Sequence, residues 1–343
     1  MPDKPELASE FVDPTAINDA RTECERKSEP NTSFHGISAK ALMAAEFDPI
    51  KYVVPNFVVE GLTIFAGAPK LGKSWAVLGW AVAVASGGLA FESIPCQSGD
   101  VLYLALEDNA RRLQSRLKQM LSFDPPERLT FFTEWPGLDG ACIEELENWL
   151  NSVPDPRLVI IDVFARIRGT NSRQETTYDS DYRFASQLQE LALRYSVGIV
   201  LVHHTRKQDA EDPFDSVSGT RGLTGAADSV LVLKRDPAAG RAILYGRGRD
   251  LPEIESIVQL NDQTGIWKII GSKGDVAKTD QRQAILDALR SSPMPLSPIA
   301  IIEKTGGNST NVRRTLTRMA SNGELMKPTR GLYACLNGPI VSI

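Results

Sequence analysis

Eight consecutive residues have the types and spacing needed to hold a polyphosphate: Gly67, Ala68, Pro69, Lys70, Leu71, Gly72, Lys73 and Ser74, in the order G-x-x-x-x-G-K-S. Gly67 and Gly72 admit backbone angles that other residues avoid, so successive N–H groups can turn inward onto phosphate oxygens. Lys73 supplies a compact, mobile charge for the β/γ-phosphates of ATP, and Ser74 offers a hydroxyl to Mg²⁺. Further along the chain, Asp162 ends the run RLVIID, where a carboxylate can hold Mg²⁺ through water; the plainer alternative is a helix cap or loop carboxylate. Glu107 and Asp108 follow VLYLAL. A general base at Glu107 would polarise an attacking water, whereas a structural role would have either carboxylate cap the next helix, with Asp108 the expected cap. His203 and His204 follow IVLV, and His204 is placed to sense a γ-phosphate unless the pair is structural. Arg247 and Arg249 alternate in YGRGRD and therefore point the same way. They are either surface charges or fingers that reach a neighbouring subunit's nucleotide.

These residues need strands to carry them and helices to cover the strands. Residues 62–65 form a short apolar strand, the phosphate loop follows, and a helix begins near Lys73. Apolar strand signals recur at 101–106, 129–132, 158–161 and 198–202, with helical spacing between them, as a mostly parallel, twisted α/β sheet requires. Strands at 229–234, 242–245 and 256–260 are expected to close the sheet in antiparallel fashion. The expected division is a polar, structureless tail over 1–35, a nucleotide domain over 36–270, a Gly/Lys linker over 271–278, and a small domain over 279–343. In that last part, helices at 280–290, 298–304 and 309–322 precede two short strands, which is the winged helix-turn-helix order. Ser309 is the expected N-cap of the third helix and Gly323 its stop.

The chain has 343 residues, 42% of them hydrophobic, enough for a large core and a smaller one. Its four cysteines show neither metal-ligand nor disulfide spacing. The first twenty residues are polar and acidic, unlike a secretory leader, so the expected location is cytoplasmic. Residues 75–91 are apolar but interrupted by Ser86, Gly87 and Gly88, which fits a buried helix rather than a membrane span. A net charge of −5 excludes a protein that coats nucleic acid with its whole surface. Over 278–330, however, nine basic side chains face four acidic ones, a local +5. Three of these, Arg313, Arg314 and Arg318, lie on the third helix, the position that enters a major groove in DNA readers of this type. Protein docking or oligomerisation is the other role such a domain takes.

Taken in order, GAPKLGKS, LYLALED, LVIIDVFARIRG, IVLVHHTRK, SGTRGLTGAADSVLVLKRD and GRGRD resemble the RecA-like ATPase core of the RepA-type hexameric replicative helicases, over residues from about 39 to 270. The resemblance implies Lys73 and Ser74 on nucleotide and Mg²⁺, Glu107 as base, Asp162 on Mg²⁺ and His204 as sensor. In the related DnaB-type rings a Lys-x-Arg pair acts across the subunit interface, and the matching positions here are Arg247 and Arg249. DNA-contacting loops in the hole of such a ring would fall at 166–173 and 211–221, bringing Arg166, Arg168 and Arg221 to the DNA. The implied activity is ATP-driven translocation or unwinding of DNA by a homo-oligomeric, hexameric ring, at a plasmid, phage or integrated-element origin, alongside other replication proteins. Two other functions fit the residues: an ATPase that loads or remodels proteins on DNA, and a DNA-binding regulator switched by nucleotide.

Overall fold

The computed structural model describes residues 36–137, 141–167, 177–206, 211–217, 221–236 and 240–336. The expected tail over 1–35 and Arg168 lie outside the described residues, as does the side chain of Arg221. Residues Met1–Pro49 form one unit, in which the described structure is a single short helix, α1 (Ala39–Ala44), capped by Ser38. Residues Ile50–Ile343 form the other.

The second unit opens with an antiparallel pair, β1 (Tyr52–Val54) and β2 (Val58–Val59), ahead of β3 (Gly61–Gly67) and α2 (Lys73–Ser86). A small ribbon, β4 (Leu89–Ala90) and β5 (Ile94–Pro95), leads to β6 (Asp100–Ala105), α3 (Ala110–Met120) and β7 (Leu129–Phe132). Then come α4 (Cys142–Ser152), β8 (Pro156–Asp162), α5 (Phe164–Ile167), α6 (Thr177–Tyr195), β9 (Gly198–His204) and α7 (Arg221–Ala226). Four strands follow: β10 (Ser229–Arg235), β11 (Arg241–Gly248), β12 (Ile254–Leu260) and β13 (Trp267–Ser272).

Nine of these strands make one sheet in the order β13-β12-β11-β10-β3-β9-β8-β6-β7. From β10 to β7 every pairing is parallel. Strands β11 to β13 extend the sheet as an antiparallel meander. The expectation that Ser229 onward closes the sheet antiparallel therefore fails for one strand. The chain crosses over through α7 after β9, which brings β10 alongside β3 in the same direction, and the reversal begins only at β11.

Both faces of the parallel strands are covered, which is why their sequences are continuous apolar runs rather than alternating ones. Phe65, Tyr103, Ile160 and Val202 point to one face, into a core shared with α2. Ile64, Leu104, Ile161 and Leu201 point to the other, against α4 and α6. Helix α2 is buried on nearly every side, from Ala76 to Ala85, which accounts for its uniformly apolar sequence. Among the described residues no helix is long and apolar enough to cross a membrane.

Beyond the sheet stand α8 (Lys273–Arg290), α9 (Pro298–Thr305), α10 (Ser309–Ser321) and an antiparallel ribbon of β14 (Leu325–Met326) and β15 (Ala334–Cys335). Ile285, Leu289, Ile301, Val312, Leu316 and Met319 give these elements an apolar cluster of their own. The expected linker over 271–278 is not a linker: it is the end of β13 and the first turns of α8. The Ser272 side chain accepts from the Asp275 N–H as an N-cap, and Val276 buries itself against Ile243 and Ile257, which outweighs the weak helix preference of Gly274. The cap of α10 is Asn308, not Ser309, because its Oδ1 reaches both the Thr310 and Asn311 N–H groups. Gly323 follows the helix at φ 72°, as a stop should.

Candidate active site

Strand register assembles the site. Gly67 pairs with His204 and Ala105 with Asp162, so the carboxyl ends of β3, β9, β8 and β6 form one row. In open parallel sheets this edge is where ligands bind. The phosphate loop leaves β3 at Gly67, where a Cβ would stand 2.8 Å from the Leu233 carbonyl oxygen, and enters α2 at Gly72, held at φ 92°. No side chain caps the start of α2, so its first N–H groups face the loop.

Lys73 is buried, and its Nζ donates to the carbonyls of Gly67 (2.7 Å) and Ala68 (3.0 Å), with His204 Nδ1 at 3.4 Å. Burial pulls its pKa from 10.5 down to about 8, against the opposing pull of Asp162 and Glu107. The Asp162 carboxylate is also buried, which raises its pKa, while hydrogen bonds from the Tyr103 hydroxyl (2.8 Å) and from Ser74 act in the other direction. A serine hydroxyl bonded to a buried carboxylate is a hard-oxygen pair of the kind Mg²⁺ takes alongside phosphate oxygens and water, so these residues fit that ion. Among the described residues there is no cluster of three or more His, Cys, Asp or Glu that could cage a metal by itself.

The loop opens on a cavity of about 830 Å³, lined by Lys73, Ser74, Glu107, Asp162 and His204 on one side and by Trp75, Leu260, Trp267, Arg235 and Arg241 on another. Glu107, the expected base, and Asp108, the expected cap, are separated here. Asp108 is nearly buried and locked in ion pairs with Arg112 (2.6 Å) and Arg116. It does not cap α3; Asn109 does, accepting from the Arg112 N–H. The Glu107 side chain is half exposed at the cavity wall, its nearest cation being Arg166 at 4.0 Å. His203 is buried with its ring edge-on to Phe164, a structural placement, while His204 faces the cavity.

Arg247 and Arg249 are not brought to this cavity. The end of β11 pairs with Ser229 and Val230, which in turn pair with Thr63 and Ile64, so the two arginines sit at the opposite edge of the sheet, about 13 Å back along β3 from Gly67. There Arg247 pairs with Asp212 at 3.1 Å and lies over the Phe214 ring, and Arg249 pairs with Asp228 at 3.3 Å.

A family model described as an AAA domain matches residues 25–210, more than half of the chain. The chain belongs to the AAA domain family. No curated protein matches it. Among solved structures, a DnaB-like replicative helicase, described with its interactions with primase, is similar at 13% identity and a TM-score of 0.53 over 74% of this chain and 71% of that one. A solved ATPase domain is similar at 12% identity and a TM-score of 0.51, over 75% of this chain and 99% of that one. At such identities the likeness is one of fold: a RecA-like α/β ATPase with a large mixed, mostly parallel sheet.

Sequence reasoning missed three residues at or behind this cavity. Trp267 donates its indole N–H to the Gly72 carbonyl at 3.0 Å, and a Cβ at Gly72 would strike its ring at 2.9 Å. Tyr103 holds Asp162. Arg241 lines the cavity and forms a two-pronged pair with Asp280 of α8 (2.6 and 3.3 Å). Each reaches the site from a distant part of the chain, and only the Tyr103 position, inside an apolar strand, carried any local signal.

Proposed function

We propose that this chain hydrolyses ATP and uses the cycle to translocate on and unwind DNA, as a ring helicase of the RepA type acting in the replication of a plasmid, phage or integrated element. The observation that carries the reading is Glu107, half exposed on the cavity wall across from Lys73, with its neighbour Asp108 sequestered in ion pairs. A protein that only switches on nucleotide has no need of a carboxylate kept available at that place.

In this reading the loop N–H groups and Lys73 bind the phosphates, and Glu107 takes the proton of the attacking water. Ser74 and Asp162 would hold Mg²⁺, which would supply positive charge to the phosphate oxygens. His204, within 3.4 Å of Lys73, reports the state of the terminal phosphate to β9. Arg247 and Arg249, on the edge of the sheet away from their own cavity, act on the nucleotide of the next subunit in a hexamer. Arg166, Arg168 and Arg221 contact the DNA in this reading, as the helicase resemblance implies.

The C-terminal elements, three helices and a ribbon, are a winged helix on this reading, with Arg313, Arg314 and Arg318 of α10 as its DNA contacts. Supporting it, Arg314 and Arg318 share one face and line a groove of about 520 Å³ with Lys278 and Gln281 of α8, and neither makes an ion pair among the described residues. The cytoplasm is the compartment where such substrates are found.

Unwinding of a forked duplex with and without ATP tests the whole reading. ATP-dependent strand separation that is lost in Lys73→Ala is the expected result. Hydrolysis without any unwinding would move the chain to the class of ATPases that load or remodel proteins on DNA.

A further inference from the structure

Asp228 stands where β3, α6, β10 and the end of β11 meet. Its side chain is only 10% exposed, and both carboxylate oxygens are engaged. Oδ2 accepts from the Leu62 N–H of β3 at 2.9 Å. Oδ1 accepts from the Gln189 side chain of α6 at 3.0 Å and from Nη1 of Arg249 at 3.3 Å. The main chain repeats these ties: the Asp228 N–H donates to the Leu62 carbonyl, and the Arg249 N–H to the Asp228 carbonyl, each at 2.9 Å. Gly61, at φ 107°, leaves the room, since a Cβ there would stand 2.5 Å from Oδ2.

A carboxylate nearly out of water is costly unless its oxygens are hydrogen-bonded and its charge is met. Leu62 and Gln189 are neutral donors, so among the described residues Arg249 is the cation that meets this charge. Arg249 itself is placed differently at its two ends. Nη1 is fixed on Asp228, yet the side chain is 61% exposed. A guanidinium carries five N–H donors in a planar fork, so one bond to Asp228 leaves the other donors open to a second anion.

We propose that Asp228 is the positioning residue for Arg249, holding one prong of the guanidinium so that the free prong meets a phosphate of the next subunit's nucleotide. This rests on the proposed assignment of Arg249 to that nucleotide and adds what sets its direction. An arginine fixed in advance loses little freedom when phosphate arrives, and its fork matches a phosphate edge. Leu62 belongs to the strand that ends in the phosphate loop. The carboxylate that aims Arg249 at one nucleotide is therefore bonded to the strand that carries its own subunit's loop.

The test uses the full-length protein with Asp228→Asn, Gln189→Leu, Arg249→Ala and Arg249→Lys. The asparagine can still accept the Leu62 N–H but turns an amide toward Arg249, whereas Gln189→Leu removes a structural contact and leaves the Arg249 pair. ATP turnover is expected to fall roughly 10–100-fold in Asp228→Asn and to stay within a few-fold in Gln189→Leu. Mixed with Lys73→Ala protein, Asp228→Asn should recover part of its activity, because the Lys73→Ala subunit supplies an intact Asp228 and Arg249. A loop damaged within the Asp228→Asn subunit would gain nothing from that partner. In the Arg249→Ala background Asp228→Asn should cost nothing further. Arg249→Lys, which has one ammonium and no fork, should be as poor as Arg249→Ala, and it decides the matter even where Asp228→Asn fails to fold. Full turnover in Asp228→Asn or in Arg249→Lys, no recovery on mixing, or an additive loss in the double variant overturns the positioning role. Full turnover in Arg249→Ala overturns the assignment of Arg249 to the neighbour, and the positioning role with it, while ATP hydrolysis by the chain stands.

Discussion

Lys73 is the residue on which most of the chemistry turns, and its environment gives it a pH signature. Burial lowers its pKa to about 8, so the folded, nucleotide-free chain gives up this proton well before an unfolded lysine does at 10.5. Between those values the unfolded chain binds more protons, and the contribution of Lys73 to stability therefore rises with pH. Affinity for nucleotide goes the other way, because phosphate needs the ammonium form. Calorimetry is expected to show ATP affinity that is level below about pH 7.5 and weakens toward pH 9, with proton uptake on binding at the higher pH. A flat affinity across that range would mean that Lys73 stays charged. At the neighbouring wall, Glu107→Gln is expected to lower turnover by roughly 10²–10⁴ while nucleotide affinity stays within a few-fold. Asp108→Asn should instead lower the melting temperature, since it breaks the pairs with Arg112 and Arg116. Normal hydrolysis by the Glu107→Gln protein would place the base elsewhere. The loop, Glu107, Asp162 and His204 were legible in the sequence because each ends an apolar run, and in a parallel sheet the ends of such runs converge. The inertness of Asp108 was not legible, since it depends on Arg116 returning eight residues later to the same carboxylate.

At the scale of elements, the strands could be read from composition because both faces of the sheet are apolar, but their directions could not. Nothing in SVLVLKR distinguishes a strand parallel to β3 from an antiparallel one; the crossover through α7 decides it. Glycine and lysine at 271–278 look like a linker only while the Ser272 cap and the burial of Val276 are out of view. The role of β13 was equally hidden, since 195 residues separate Trp267 from the loop carbonyl it holds. Trp267→Phe keeps the ring and removes the donor, leaving the Gly72 carbonyl without it. A net hydrogen bond of about 1 kcal/mol corresponds to roughly fivefold weaker nucleotide binding, with a much smaller effect on turnover at saturation. Titration of a fluorescent ATP analogue measures it, and unchanged affinity would reduce the indole contact to packing.

At the scale of the whole molecule, the opposite-edge position of Arg249 makes a prediction about assemblies. Neither Lys73→Ala nor Arg249→Ala protein should hydrolyse ATP well alone. Mixed, they should recover part of the activity, because an intact loop from one subunit meets an intact arginine from another. Arg249→Ala protein that is fully active alone, with no recovery in any mixture, would leave Arg249 as the partner of Asp228 and nothing more. The direct passage of β13 into α8 has a mechanical consequence. One end of that continuous piece carries Trp267, bonded to the phosphate loop, and Arg241 ties the pocket wall to Asp280 further along the helix. An 18-residue helix is about 27 Å long, so a tilt of about 10° at its root sweeps the far end through about 5 Å. With no slack between them, a movement of the phosphate loop would be carried through Trp267 and α8 to the basic C-terminal helices.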